Sequence, residues 1–355
     1  MSKSSICIKA SKNQGQKIIT LVSKLELIDK SLEIQRNEDS LCIPIARQLN
    51  DSELTTLQKQ APGMQLSAAV FTEKKLPQTL TQILEKKLSP NILNNLPKAL
   101  DIIGDIAIID IPPELKLYEN FIGEAILQTH RNIKTVLAKA GAIGGVYRVR
   151  EYSFISGEQK TQTLDKEFGC QYHVDLAKAY FSPRLSHEHE RIASIVQIGE
   201  TVVDLFAGVG PFSILIAKKN PQVKVYAVDI NPEAVELLKI NVRTNRVENR
   251  VFPILGDARQ ITTTKLKGVA DRVIMNLPET AIDFVDAACQ ALKPKGGIIH
   301  FYAFVRSPNS IEQLKTRFSQ AVESTGKKVE VFLYGKSIRE TAPFESQVVL
   351  DAKVA

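Results

Sequence analysis

The sequence predicts an α/β chain. Its C-terminal half reads as a Rossmann-like domain with a doubly wound, mostly parallel sheet, and two smaller α+β domains precede it. Three observations predict this. Strand-like and helix-like stretches alternate from about residue 200 onward, the pattern that builds parallel βαβ units. The first of those strands runs into Asp204-Leu205-Phe206-Ala207-Gly208-Val209-Gly210, a glycine turn at a strand-to-helix junction. The last two strand-like stretches, Val329 to Tyr334 and Gln347 to Ala352, have only a loop between them, so they should pair antiparallel at one end of the sheet.

Taken in order, residues 1–71 show short strand and helix patterns and form a first domain. Residues 72–92 carry Thr72-Glu73-Lys74-Lys75-Leu76-Pro77 and Glu85-Lys86-Lys87-Leu88-Ser89-Pro90, charged and proline-marked, and read as a linker with room for one helix. Residues 93–170 form a middle domain. It starts with the apolar runs Ile102-Ile103 and Ile106 to Ile109, followed by a helix from near Gly123 to Ala140 and strands around Tyr147 and Tyr152. The last domain, 171–355, opens with a helix begun by Tyr180 to His189. Thr201 to Leu205, Val223 to Asp229, Val251 to Leu255, Ala270 to Asn276 and Gly297 to Phe304 are its strands. Phe212 to Lys219, Pro232 to Asn245, Ala281 to Leu292 and Ile311 to Ser324 are its helices. Asn231 is placed as an N-cap, with Pro232 at the first helical position.

The chain has 355 residues, room for two or three domains, and is 44% hydrophobic and 24% charged, as soluble globular proteins are. The net charge of +7 suits a polyanionic partner, though a bland basic surface gives the same number. Cys7, Cys42, Cys170 and Cys289 make no Cys-x-x-Cys pair. Buried free thiols in a reducing cytosol fit them better than zinc ligation or a disulfide framework. No long apolar run follows Met1, so neither a signal peptide nor a membrane span is expected.

The strand ends of the last domain carry the chemistry. Gly208 and Gly210 remove side chains where a nucleoside-bearing ligand would approach the backbone. Phe212 and Ser213 stand where a dinucleotide fingerprint has its third glycine, which disfavours nicotinamide binding. Asp229, nineteen residues after Gly210, can accept both ribose hydroxyls, or it can cap the helix that follows. Asp257 ends the third strand and suits an adenine amino group, or a plain turn. Asn276-Leu277-Pro278-Glu279 ends the fourth strand, where the amide and nearby carbonyls can orient a base edge. Leu277 and Glu279 replace the proline and aromatic of an Asn-Pro-Pro-Tyr platform, which favours a ring nitrogen over an exocyclic amine. The series is what an enzyme using S-adenosylmethionine needs. Two further segments, Tyr147-Arg148-Val149-Arg150 and Tyr180 to His189, cluster charge and are by composition alone ordinary solvated faces.

With these residues in view, the chain resembles the archaeal and eukaryotic tRNA (guanine-37-N1)-methyltransferases over nearly its whole length. The resemblance rests on Cys7-Ile8-Lys9, Asp101-Ile102-Ile103-Gly104-Asp105-Ile106-Ala107, Tyr180 to His189, Asp204 to Phe212 and Asn276-Leu277-Pro278. It implies a class I S-adenosylmethionine-dependent methyltransferase that modifies N1 of the guanosine after the anticodon. It implies Arg148 at guanine O6, with Arg150 two residues on, and Glu188 as general base, with Glu190 nearby. It implies Tyr180, Asn276 and Pro278 around the base. The cofactor shell would comprise His189, Asp204, Phe206, Ala207, Gly208, Gly210, Asp229, Ile230, Asp257, Ala258 and Asn276. No metal is implied. It also implies tRNA as the partner, a first domain that reaches the distant corner of the tRNA, and a cytoplasmic monomer.

The implied chemistry is coherent. N1 of guanine must lose a proton as the methyl arrives, which a carboxylate can take. Charge then grows on O6, where an arginine stabilises it. The nearest rival is an aminocarboxypropyl transferase of the wyosine pathway, whose members lack a Ser-Pro-Arg-Leu segment such as Ser182 to Leu185. Relatives that methylate a wyosine intermediate tend to carry Asn-Pro-Pro-Tyr. A non-catalytic tRNA-binding protein on the same fold is the reading outside enzymes.

Overall fold

The structure, a computed structural model, describes residues 2–74, 79–85, 87–97, 99–142, 144–307 and 309–355. It falls into two compact units, 1–79 and 80–355.

The first unit is a four-stranded antiparallel sheet with two helices. Its elements are β1 (Ser2–Ser11), α1 (Gly15–Lys24), β2 (Gln35–Arg36), β3 (Ser40–Pro44), α2 (Asp51–Gln60) and β4 (Gln65–Thr72), with strand order β2-β3-β1-β4. In α1, Ile18 and Val22 lie one turn apart and are both buried, so one stripe faces the sheet. Asn50 starts α2 by accepting from the Glu53 N–H while the Glu53 side chain accepts from the Asn50 N–H, a closed capping box.

The second unit begins with α3 (Leu80–Leu84) and α4 (Pro90–Asn94). Leu84 and Leu88 are buried in one core with Ile122 and Ile126. The stretch 72–92, expected to be a linker, is therefore packed in its second half, because its leucines find an apolar face. Lys75 to Gln78 and Lys86 lie outside the described residues. Next come β5 (Leu100–Ile103), β6 (Ile106–Ile109), α5 (Glu119–Thr129), β7 (Thr135–Lys139) and β8 (Tyr152–Gly157), ordered β5-β6-β7-β8. The helix expected over 123–140 thus stops at Thr129. Thr135-Val136-Leu137-Ala138 pairs parallel with β6 and antiparallel with β8, and this strand pairing decides the conformation of the run. No strand forms around Tyr147 either. Gly144 and Gly145 introduce a turn, with Gly145 at φ 68°. A hairpin of β9 (Gln162–Glu167) and β10 (Cys170–Asp175) completes this part.

The largest sheet has seven strands. After α6 (Ser186–Ile195) come β11 (Thr201–Asp204), α7 (Pro211–Lys219), β12 (Lys224–Asp229), α8 (Pro232–Thr244), β13 (Val251–Leu255), α9 (Ala258–Ile261), β14 (Arg272–Met275) and α10 (Val285–Ala291). They are followed by β15 (Gly297–Arg306), α11 (Ile311–Glu323), β16 (Val329–Ala342) and β17 (Glu345–Val354). The order is β13-β12-β11-β14-β15-β17-β16. The first five are parallel, and β17 enters antiparallel between β15 and β16. Pro253 sits in β13, an edge strand, where a missing N–H costs no ladder bond. Asn231 caps α8 through the Glu233 N–H, as expected. Apolar cores cover both faces of this sheet. All four cysteines are free and buried. Among the described residues, no helix is long and apolar enough to cross a membrane.

Candidate active site

Parallel strands leave their C-terminal ends facing one crevice, and ligands bind there in open α/β sheets. Here that crevice is a cavity of about 1010 Å³ reached by the ends of β11, β12, β13 and β14, by β5, and by residues 140–142 and 145–150. It has two halves with different construction.

The first half is mostly backbone. Gly208 lies at φ 55°, and a Cβ there would meet nothing nearer than the Tyr180 carbonyl at 3.7 Å, so the turn exposes bare main chain to the cavity. Its N–H donates to Asp229 Oδ2 at 2.7 Å, and the Asn231 N–H donates to Oδ1 at 2.9 Å. Burial pushes the Asp229 carboxyl up, opposed by these donors and the Ile230 N–H. Three backbone donors on about four carboxylate acceptor sites leave capacity toward the cavity, which the residue lines beside Ile230. Asp257 lines it too and caps α9 by accepting from the Arg259 and Gln260 N–H groups, so its turn role is realised. Ala258 follows it. Phe206 packs edge-on against Phe284, ring centroids 5.1 Å apart. An open glycine turn ending in a fixed carboxylate suits the ribose and adenine of S-adenosylmethionine.

Four residues expected in this shell stand elsewhere. Asp204 is fully buried, accepts from Ser213 Oγ at 2.8 Å, and has its carboxyl pushed up to about 7 by burial. Ala207 is buried, its N–H given to Val228. Gly210, at φ 94°, has no room for a Cβ, which would come within 2.3 Å of Leu238 Cδ1. It serves helix packing rather than ligand approach. His189 is 1% exposed, hydrogen-bonded through Nδ1 to Glu167 at 2.8 Å and edge-on to Phe212.

The second half is built from side chains that hold one another. Tyr180, Asn276 and Pro278, which the resemblance puts around the base, line it, together with Leu277. Arg148 lines it as well, from a turn rather than a strand, at φ 57°. Its guanidinium makes a two-pronged ion pair with Glu279, which holds the Glu279 carboxyl below the usual carboxylate range. Arg150 also lines the cavity but spends a guanidinium N–H on the Gly141 carbonyl. Three lining residues went unassigned in the sequence. Glu279 directly follows the Asn-Leu-Pro signal. Gln347 is a buried polar residue inside an apolar strand, and it donates to Asn276 Oδ1 at 3.3 Å. Arg339 donates to Gln347 Oε1 at 2.8 Å and to Ser182 Oγ at 3.1 Å.

Glu188 differs most from expectation. It lies behind the cavity, 6% exposed, and accepts from Arg191 and from the Tyr302 hydroxyl at 2.7 Å. Arg191 also bridges to Asp351, which His300 joins at 2.6 Å. Burial alone would raise the Asp351 carboxyl, yet His300 and Arg191 hold it at about 2. Glu190 points elsewhere and pairs with Lys219.

Comparison with known proteins adds four findings. The profile of the TRM5/TYW2 methyltransferase domain matches residues 163–332, that of the TYW2 N-terminal domain 80–161, and that of the tRNA methyltransferase 5 N-terminal domain 7–53. The tRNA (guanine(37)-N(1))-methyltransferase Trm5b of Pyrococcus abyssi is 37% identical over 350 residues, 99% of each chain, and its crystal structure matches with a TM-score of 0.72. A structure of aTrm5 in complex with tRNALeu matches at 32% identity and TM-score 0.68, covering 98% of this chain and 99% of that one. A Pyrococcus horikoshii TYW2 structure with MeSAdo matches at 31% and 0.66, covering 78% of this chain and 97% of that one.

Proposed function

The chain belongs to the TRM5/TYW2 methyltransferase family, and from that membership and the chemistry of its cavity we infer that it transfers a methyl group from S-adenosylmethionine to N1 of guanosine 37 in tRNA. One observation carries this. A backbone-lined half suited to a nucleoside and a half lined by Arg148, Asn276 and Pro278 open into the same cavity. The guanosine activity is favoured over the wyosine one because the match to Trm5b runs the whole length, including residues 7–53, whereas the TYW2 structure spans 78% of the chain.

S-adenosylmethionine supplies the methyl electrophile when bound. The protein's work is to hold the base and manage its charge. Asp229 accepts the ribose hydroxyls, and Gly208 lets the nucleoside lie against the main chain. Asn276, fixed by Gln347 and Arg339, presents its amide to the Watson–Crick edge. Arg148 turns from Glu279 to O6, where negative charge grows as N1 loses its proton. Glu188 takes that proton in this reading. To do so it leaves Arg191 and Tyr302 and swings toward Leu185, three residues earlier, which lines the cavity. The base must be unpaired and splayed out to enter, as a loop nucleotide can be.

Incubating the protein with labelled cofactor and unmodified tRNA transcripts, then mapping the product, tests the reading. 1-Methylguanosine at position 37 is expected. Transfer of an aminocarboxypropyl group, or methylation elsewhere, overturns it. The reading includes a cytoplasmic monomer and a first domain that recognises the far corner of tRNA. A chain beginning at Leu80 should then fold and bind cofactor, but discriminate less between full tRNA and an anticodon stem-loop. Equal discrimination removes the role of the first domain.

A further inference from the structure

The hairpin joining β16 to β17 turns through Pro343 and Phe344 at the edge of the cavity. Residues on both flanks, Thr341 and Glu345, line the cavity. Phe344 sits at φ 64° with 82% of its surface exposed. Proline followed by a positive-φ residue is the pattern of a type II turn, whose second central position favours glycine. A bulky aromatic in that conformation is a genuine outlier. Strained residues persist where the surroundings fix them, and they cluster at ligand clamps.

The surroundings here do fix it. The Phe344 carbonyl accepts from the Ser307 N–H at 2.8 Å, and Thr341 Oγ1 donates to Glu345 Oε1 at 3.0 Å. Arg306 holds the other Glu345 oxygen at 3.1 Å. The turn is thus braced from both flanks, while the ring itself is left in solvent. Neither packing nor turn chemistry accounts for a phenylalanine there. A flat apolar face beside a site that takes a splayed-out nucleotide has an occupant of matching shape, because every base offers a π-face.

We propose that Phe344 is a stacking platform for an unpaired nucleobase neighbouring the target guanosine, holding the loop open while the target enters the cavity. This rests on the tRNA reading above. It adds a nucleobase site outside the reaction centre, sequence-tolerant because stacking reads no hydrogen bonds.

The test compares Phe344→Gly, Phe344→Leu and Phe344→Trp in the full chain, using tRNA that is intact or abasic at position 36 or 38. Glycine relieves the turn, so Phe344→Gly should melt no lower than wild type and bind S-adenosylmethionine equally well. Its tRNA affinity should fall by on the order of tenfold. Phe344→Trp should keep affinity, and Phe344→Leu should not. At one of the two positions, removing the base should weaken wild type by a similar factor and leave Phe344→Gly unchanged. The proposal is overturned if Phe344→Gly binds tRNA as wild type does, if leucine serves as well as tryptophan, or if Phe344→Gly lowers the melting temperature and cofactor affinity together. Wild-type transfer to position 37 in the same assay separates the two readings. Its absence sinks the tRNA reading, while its presence with an indifferent Phe344→Gly sinks only the platform.

Discussion

The two halves of the cavity differ in what holds them. Around Gly208 and Asp229 the donors are backbone N–H groups already aimed at the carboxylate, so a ligand finds the geometry waiting. Around Arg148 the groups are long side chains satisfied by one another: Arg148 by Glu279, Asn276 by Gln347, Gln347 by Arg339. A base must take Arg148 from Glu279, while Gln347 and Arg339 keep Asn276 in place. The first half is preorganised for binding, and the second is arranged to change partners, which ties catalysis to the arrival of the correct edge.

The largest expected effect lies in the second half. Arg148→Ala should lose about 2.7–4 kcal/mol of transition-state stabilisation, seen as a single-turnover rate that stays low at saturating tRNA. Full recovery at saturation would place Arg148 among phosphate contacts instead, with a flattened salt dependence. Arg150→Ala is the control, and it should perturb the loop through Gly141 rather than the chemistry.

Next is Glu188. As proton acceptor, its replacement by Gln should cost on the order of 10²-fold in single-turnover rate and spare cofactor binding. A rate near wild type, with only a lowered melting temperature, would make Glu188 a partner of Arg191 and Tyr302 alone. Glu279, a carboxylate that lines the cavity, would then take its place.

In the first half the expected effects are on binding. Asp229→Ala should raise the cofactor dissociation constant roughly tenfold or more, since a hydrogen bond to a charged group contributes about 1.5–3 kcal/mol. Calorimetry showing unchanged affinity would remove it from the site.

The last effect is on stability rather than on binding or rate, and concerns the floor beneath that half. The Asp204 carboxyl is raised from 3.8 to about 7 in the folded chain. A raised folded value means its contribution is complete below the unfolded pKa and is lost as pH climbs toward the folded one. Melting temperature should therefore decline across that window, and Asp204→Asn should flatten the decline. Identical slopes in the two proteins would show that Asp204 does not titrate there.

Much of this was legible in the sequence for a physical reason. Periodicity and turn chemistry are local, so the parallel strands, the Asn231 cap and the final antiparallel pair could be read from neighbours along the chain. That Asp229 and Asn276 share one cavity could be read because strand ends in this fold converge. What local reading missed depends on partners far away in sequence. Thr135 to Lys139 became a strand because β6 and β8 flank it. Gly210 faces Leu238 rather than a ligand. Glu188 is turned from the cavity by Arg191 and Tyr302, the latter 114 residues on. Gln347 had no motif of its own, Glu279 was read only as a departure from one, and only the folded arrangement gives them partners.

The position of β17 sets a rule for how the enzyme comes into being. β17 lies inside the sheet, between β15 and β16, although it follows both in sequence, and it carries Gln347. Until β17 leaves the ribosome, β15 has an open edge and Asn276 lacks its anchor. A nascent chain can therefore build its nucleoside-binding turn early but cannot finish its base-handling half until β17 has been made. Translation itself enforces the order, and premature termination anywhere upstream of Glu345 yields a protein without that half.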